Sequence, residues 1–159
     1  MMLYLMQHAQ AVPEEVDPLR PLSEEGRTAA ARVAAHVSLR SLPVEHIYHS
    51  GKLRARQTAE ILAAALHLED GVEQLEGLNP KDRAAPLARW LLVETQKSAG
   101  SGIVLVSHLP VLDRLASLLL AGDEEIGVIA FQYAALVALE PKGDGKRFAV
   151  RWMFPPELA

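Results

Sequence analysis

Two short runs, Met2-Leu3-Tyr4-Leu5-Met6 and Ile103-Val104-Leu105-Val106, carry apolar side chains at consecutive positions and so offer no polar face to water. A strand can be apolar on both faces only if both are covered, and that is the pattern of parallel strands sandwiched between helices. The segments between agree. Ser23-Glu24-Glu25-Gly26 opens a helix, with a hydroxyl of N-cap chemistry and two acids in the first turn, and alanines and valines carry it to about Ser38. His46–His49 is a short strand, and Lys52–Leu66 has helical spacing of its apolar residues. Further helices are expected over Ala84–Lys97 and Pro110–Leu120, and Ser98–Gly102 is expected to turn between helix and strand. Residues 9–21 hold three prolines and form a loop, and residues 69–81 are irregular. Phe131–Leu139 and Phe148–Met153, around the turn 141–145, read as a final strand pair. The alternation predicts a three-layer α/β/α sandwich over a mainly parallel central sheet, with an antiparallel edge from the last pair. Without repeats or linkers, residues 1–159 are expected to form one domain, a length that supports a real core.

Composition removes several functions. The net charge is −4 with scattered basic residues, which leaves no electrostatic footprint for nucleic acid. No cysteine is present, so disulfides, thiol nucleophiles and Cys-based metal sites are excluded; a reducing cytoplasm fits. The apolar runs are too short for a signal segment or a membrane span.

What remains is concentrated where strands end. Ligands of open α/β sheets bind beyond the carboxyl ends of strands. Here one strand ends at Gln7-His8, another at His49-Ser50 and leads to Arg54 and Arg56, and a third ends at Ser107-His108. Two histidines and one or two arginines converge on one sheet edge. A planar guanidinium matches two phosphate oxygens, and a neutral imidazole is a nucleophile that can be phosphorylated on nitrogen. A backbone carbonyl suffices to hold the other ring nitrogen as N–H.

The stretches LMQHAQ, RPLSEEG, HSGKLRARQTAE and VSHLP, in this order, resemble the histidine phosphatase superfamily, and most of all its small bacterial phosphohistidine phosphatase branch. The resemblance spans nearly the whole chain and implies the phosphoglycerate-mutase-like fold. It also implies His8 as the phosphoryl-accepting nucleophile, Arg54 as the phosphate clamp, His108 as a donor to the phosphate, Arg20 as a basic residue at the pocket mouth, and no metal or cofactor. The implied partner is a phosphohistidine-bearing phosphotransfer or phosphocarrier protein.

Two departures bear on activity. The family's run at the first strand is Arg-His-Gly, and this chain has Gln7-His8-Ala9. Gln7 offers amide donors to phosphate but no charge, and one lost preorganised donor typically costs ~10²–10³ in rate. The larger phosphomonoesterases of the superfamily also use a carboxylic acid where this chain has Glu76-Gly77. Glu76 is the candidate general acid, one position from the expected slot. Phosphohistidine leaves as a neutral imidazole once its ring is protonated and needs less help than an alkoxide. The expected activity is therefore hydrolysis of protein phosphohistidine through phospho-His8. The rival readings are a small-molecule phosphomonoesterase that depends on Glu76, and a binding module disabled by Gln7. His36, His46, His49 and His67 are expected to be structural or at the surface, and Ser50 and Ser107 to position loops.

Overall fold

The computed structural model describes residues 1–97 and 100–159; the part of the expected turn at Ser98 and Ala99 lies outside the described residues. The elements are β1 (Met2–Gln7), α1 (Glu24–Ser38), β2 (Val44–His49), α2 (Leu53–Leu66), β3 (Val72–Gln74), α3 (Ala84–Lys97), β4 (Gly102–Ser107), α4 (Val111–Ala121), β5 (Leu136–Pro141) and β6 (Phe148–Phe154). The sheet order is β3-β2-β4-β1-β5-β6. β3, β2, β4 and β1 are mutually parallel, whereas β5 runs antiparallel to β1 and β6 antiparallel to β5.

The doubly apolar runs have the expected cause. Tyr4, Met6, Val104 and Val106 face α1 and α2, where Ala30, Val33, Ala59 and Leu62 meet them. Leu3, Leu5, Ile103 and Leu105 face α3 and α4, where Leu87, Leu91, Leu112 and Leu115 meet them. Successive strand residues point to opposite faces, so a strand at the centre of three layers must be apolar throughout. Ser23 caps α1 as its chemistry dictates, its Oγ accepting the Gly26 N–H at 3.0 Å. Among the described residues no helix is long and apolar enough to cross a membrane.

The sequence pattern missed the structure in two places. The strand expected over Phe131–Leu139 begins only at Leu136. Ala134 takes a left-handed conformation (φ 62°), and its N–H donates to the Gln7 carbonyl at 3.1 Å, so the chain folds over the end of β1 before extending. Conversely, β3 lies within the stretch expected to be irregular. It is three residues long with two of them exposed, so it carries no apolar period to read.

Candidate active site

β1 and β4 pair in register, Gln7 opposite Ser107, so His8 and His108 leave neighbouring strands at the same level. β2 lies on the other side of β4 and brings Ser50 to the same edge. The first turn of α2 adds Arg54. The two imidazoles are buried, 6% and 2% exposed, with ring centroids 4.8 Å apart.

Hydrogen bonds assign the His8 proton. His8 Nδ1 lies 2.7 Å from the Ala9 carbonyl, which can only accept, so Nδ1 carries the hydrogen. Nε2 is then a bare lone pair, and the Arg54 Nε–H donates toward it at 3.3 Å. His108 Nε2 lies 2.6 Å from Ser50 Oγ. That oxygen also accepts the Lys52 N–H at 3.4 Å, so the hydroxyl is held between the start of α2 and the imidazole. His108 Nδ1 is buried without a partner in the protein.

Burial is the first cause that holds both rings neutral. It lowers His8 to about 4, with Arg54 and Arg20 adding to the effect against the opposing Ala9 hydrogen bond. His108 is lowered to about 3 by burial, then by His8, Arg54, Lys52 and Arg20. Burial, then the Arg20 charge, also draws the Arg54 guanidinium below its ordinary value.

The loop that follows His8 is tied to the helix that carries Arg54. Thr58 Oγ1 accepts the Ala9 N–H at 3.0 Å and donates to the Arg54 carbonyl at 2.8 Å. Ala9 is fully buried against this helix. Ser107 Oγ donates to the Leu78 carbonyl and secures the end of β4 to the loop after β3.

The other expected residues fall as follows. Gln7 is 8% exposed, its Oε1 is buried without a partner, and it lines a cleft of about 590 Å3 with Gln10, Leu109, Gln132 and Tyr133. Arg20 is half-buried, with a left-handed backbone (φ 48°) and its Nε–H on the Val12 carbonyl at 3.3 Å, and its charge reaches both histidines. Arg56 turns away and pairs with Glu60 at 3.1 Å on the exposed side of α2. Glu76 is exposed in the turn after β3, and the charges acting on the histidines are basic ones, Arg54, Arg20 and Lys52. His36 stacks on Phe154, His46 faces Glu73, His49 accepts the Gly51 N–H, and His67 ends α2 in a left-handed conformation.

Three neighbours of the site escaped the sequence reading. Thr58 had a signal, standing one helical turn after Arg54 on the same face. Lys52 had a weaker one, preceding the same helix. Tyr133, whose ring centroid is 5.4 Å from that of His8, had none, because its stretch read as strand.

Comparison with known proteins gives the same picture. The sequence profile of the histidine phosphatase superfamily (branch 1) matches residues 3–83, which include His8, Arg20 and Arg54. The phosphohistidine phosphatase SixA of Escherichia coli (strain K12) is 27% identical over 157 residues, covering 98% of this chain and 94% of that protein. An uncharacterized protein of Picosynechococcus sp. (strain ATCC 27264 / PCC 7002 / PR-6) is 30% identical, covering 98% of this chain and all of that one (100%). The solved structure of the protein histidine phosphatase SixA complexed with tungstate superposes with a TM-score of 0.85 at 25% identity, covering 98% of this chain and 97% of that one. On the paired strand-end histidines, the arginine beside them and these matches together, the chain belongs to the histidine phosphatase superfamily.

Proposed function

We propose that this chain is a phosphohistidine phosphatase that hydrolyses phosphohistidine on a partner protein through a phospho-His8 intermediate. The observation that carries the reading is the tautomer of His8: its N–H is committed to the Ala9 carbonyl, so the Nε2 lone pair faces the site beside Arg54. In the first step Nε2 attacks phosphorus while the bond from phosphorus to the partner's protonated imidazole breaks. The bonding pair stays on that imidazole, which departs neutral. His8 becomes a phosphorylated imidazolium, and the Ala9 carbonyl bears its Nδ1–H. In the second step water attacks phosphorus, His8 regains its lone pair, and the water's proton leaves with phosphate or solvent. Arg54 and His108 hold the phosphoryl oxygens, with Arg20 adding charge at the mouth. Gln7 contributes amide donors without charge, so it sets the rate rather than the reaction.

The leaving group is an imidazole in both steps, so neither requires a carboxylic acid to protonate a departing alkoxide, which suits the exposed position of Glu76. The likeness to SixA supports a protein-borne phosphohistidine as substrate and a phosphotransfer or phosphocarrier protein as partner, which fits a cytoplasmic location. No group of three or more potential metal-ligating side chains occurs among the described residues, and the proposed chemistry needs none.

The test is phosphate release from a phosphohistidine-bearing protein by wild type, His8→Ala and Glu76→Gln, with phosphoenzyme trapped by rapid quenching. Release by wild type and Glu76→Gln, with none from His8→Ala, is expected. Hydrolysis confined to small phosphomonoesters and lost in Glu76→Gln would establish the phosphomonoesterase instead. Phosphate binding with no turnover on any substrate would make the chain a binding module.

A further inference from the structure

Tyr133 is a large aromatic side chain that the core does not use. It is 48% exposed, yet its ring rests 5.4 Å from the buried His8 ring at a 43° tilt. The backbone holds it there. Ala134, next in the chain, is fully buried in the left-handed region (φ 62°), a conformation that an alanine adopts at a cost. Its N–H donates to the Gln7 carbonyl, and the Ala135 N–H to the Gln132 carbonyl, both at 3.1 Å. The ring is thus fastened to the end of the strand that bears the nucleophile. The phenol is also an electrostatic neighbour of Arg54, whose guanidinium donates directly to His8. Tyr133 and Gln7 line the same cleft.

We propose that Tyr133 is a phosphoryl-binding residue, its hydroxyl donating to an oxygen of the tetrahedral anion held between His8 and Arg54. This rests on the reading of those two side chains as the phosphoryl site. The anion must lie against Nε2 of His8 for transfer to occur, and the Tyr133 ring lies beside that imidazole with its phenol acting on Arg54. A phenol is a neutral donor that rotates in one plane and loses little entropy on binding. It fits beside a glutamine that also donates without charge: two neutral donors share a task that a charged side chain at position 7 would otherwise perform.

Tyr133→Phe tests the hydroxyl alone, because the ring that packs on His8 is retained. Tungstate serves as the anion, and its affinity for wild type and variant is measured by calorimetry at fixed salt. Imidazole NMR signals of His8 verify that the ring is undisturbed in the variant. The expected loss of tungstate affinity is about 10- to 100-fold, the effect of one hydrogen bond to a charged acceptor. Affinity unchanged within about twofold overturns the assignment, as does a wild type that binds no tungstate. If tungstate binds in a Tyr133-dependent way while phosphohistidine protein is not hydrolysed, the assignment stands and the hydrolase reading falls.

Discussion

The burial of two neutral imidazoles must make the fold acid-sensitive by a calculable amount. In the unfolded chain His8 takes up its proton near the ordinary value of 6.5, whereas in the folded protein it does so only at about 4. Between those values the unfolded state binds more protons, so stability falls as pH is lowered and the loss is complete below about 4. Integrated from pH 7 to pH 5, the His8 contribution is about 2 kcal/mol, at 1.36 kcal/mol per unit of pH with a partly titrated start. His108, lowered to about 3, contributes a similar amount over the same window, less whatever the two share through their mutual repulsion. The assay is urea unfolding of wild type and His8→Asn at pH 7, 6 and 5. The asparagine amide can still donate to the Ala9 carbonyl, and it does not titrate. Wild type should lose about 2 kcal/mol more than the variant between pH 7 and pH 5. Equal losses, or an NMR titration of His8 with its midpoint near 6.5, would refute the claim that burial keeps the nucleophile neutral. The same neutrality has a kinetic face: at pH 5 roughly nine in ten His8 rings should still be competent to attack.

Other perturbations separate the parts of the site. Gln7→Arg should speed phosphoenzyme formation, by up to ~10²–10³, and lower the melting temperature of the anion-free protein, because it sets a cation where Gln7 is only 8% exposed; single-turnover kinetics and thermal melts read the two effects. Ser50→Ala should release His108 Nε2 and let the proton exchange between the ring nitrogens, seen as a change in imidazole 15N shifts and about a tenfold slower transfer. Gly26→Ala should destabilise the fold by about 1–3 kcal/mol in urea unfolding, because a Cβ there runs into the backbone carbonyl of Gln10, which cannot yield as a side-chain end would.

The legible parts of this chain were those where one physical constraint acts on consecutive residues. β1 and β4 are apolar at every position because helices cover both faces, and that pattern fixed their place at the sheet centre. His8 and His108 were visible because each stands at the end of such a run, where the core stops and chemistry can begin. Arg54 and Ser50 were legible through the strand-to-helix junction that carries them. The illegible parts are set by contacts between distant segments. β3 exists because His49 and Gln74 pair across the chain, with too few residues to show a period. Tyr133 reaches His8 because Ala134 turns left-handed to bond with Gln7, and alanine gives no advance sign of that conformation.

The charges around the site bear on what glutamine at position 7 would change in the proposed mechanism. Arg54, Arg20 and Lys52 all act on the histidine pair, and each lowers the tendency of a ring to protonate. A further cation would press the same way, but His8 is already neutral at physiological pH through burial, so its nucleophilicity gains nothing from it. What an arginine would add is attraction for the phosphoryl oxygens, and that is a matter of donor number and charge rather than of the nucleophile's readiness. On the proposed mechanism the two requirements fall to different residues: Ala9 and burial prepare His8, whereas Arg54, His108 and neutral donors at the mouth would receive the anion. On that mechanism the absence of charge at position 7 would weaken anion binding alone, while the His8 tautomer stays fixed by the backbone.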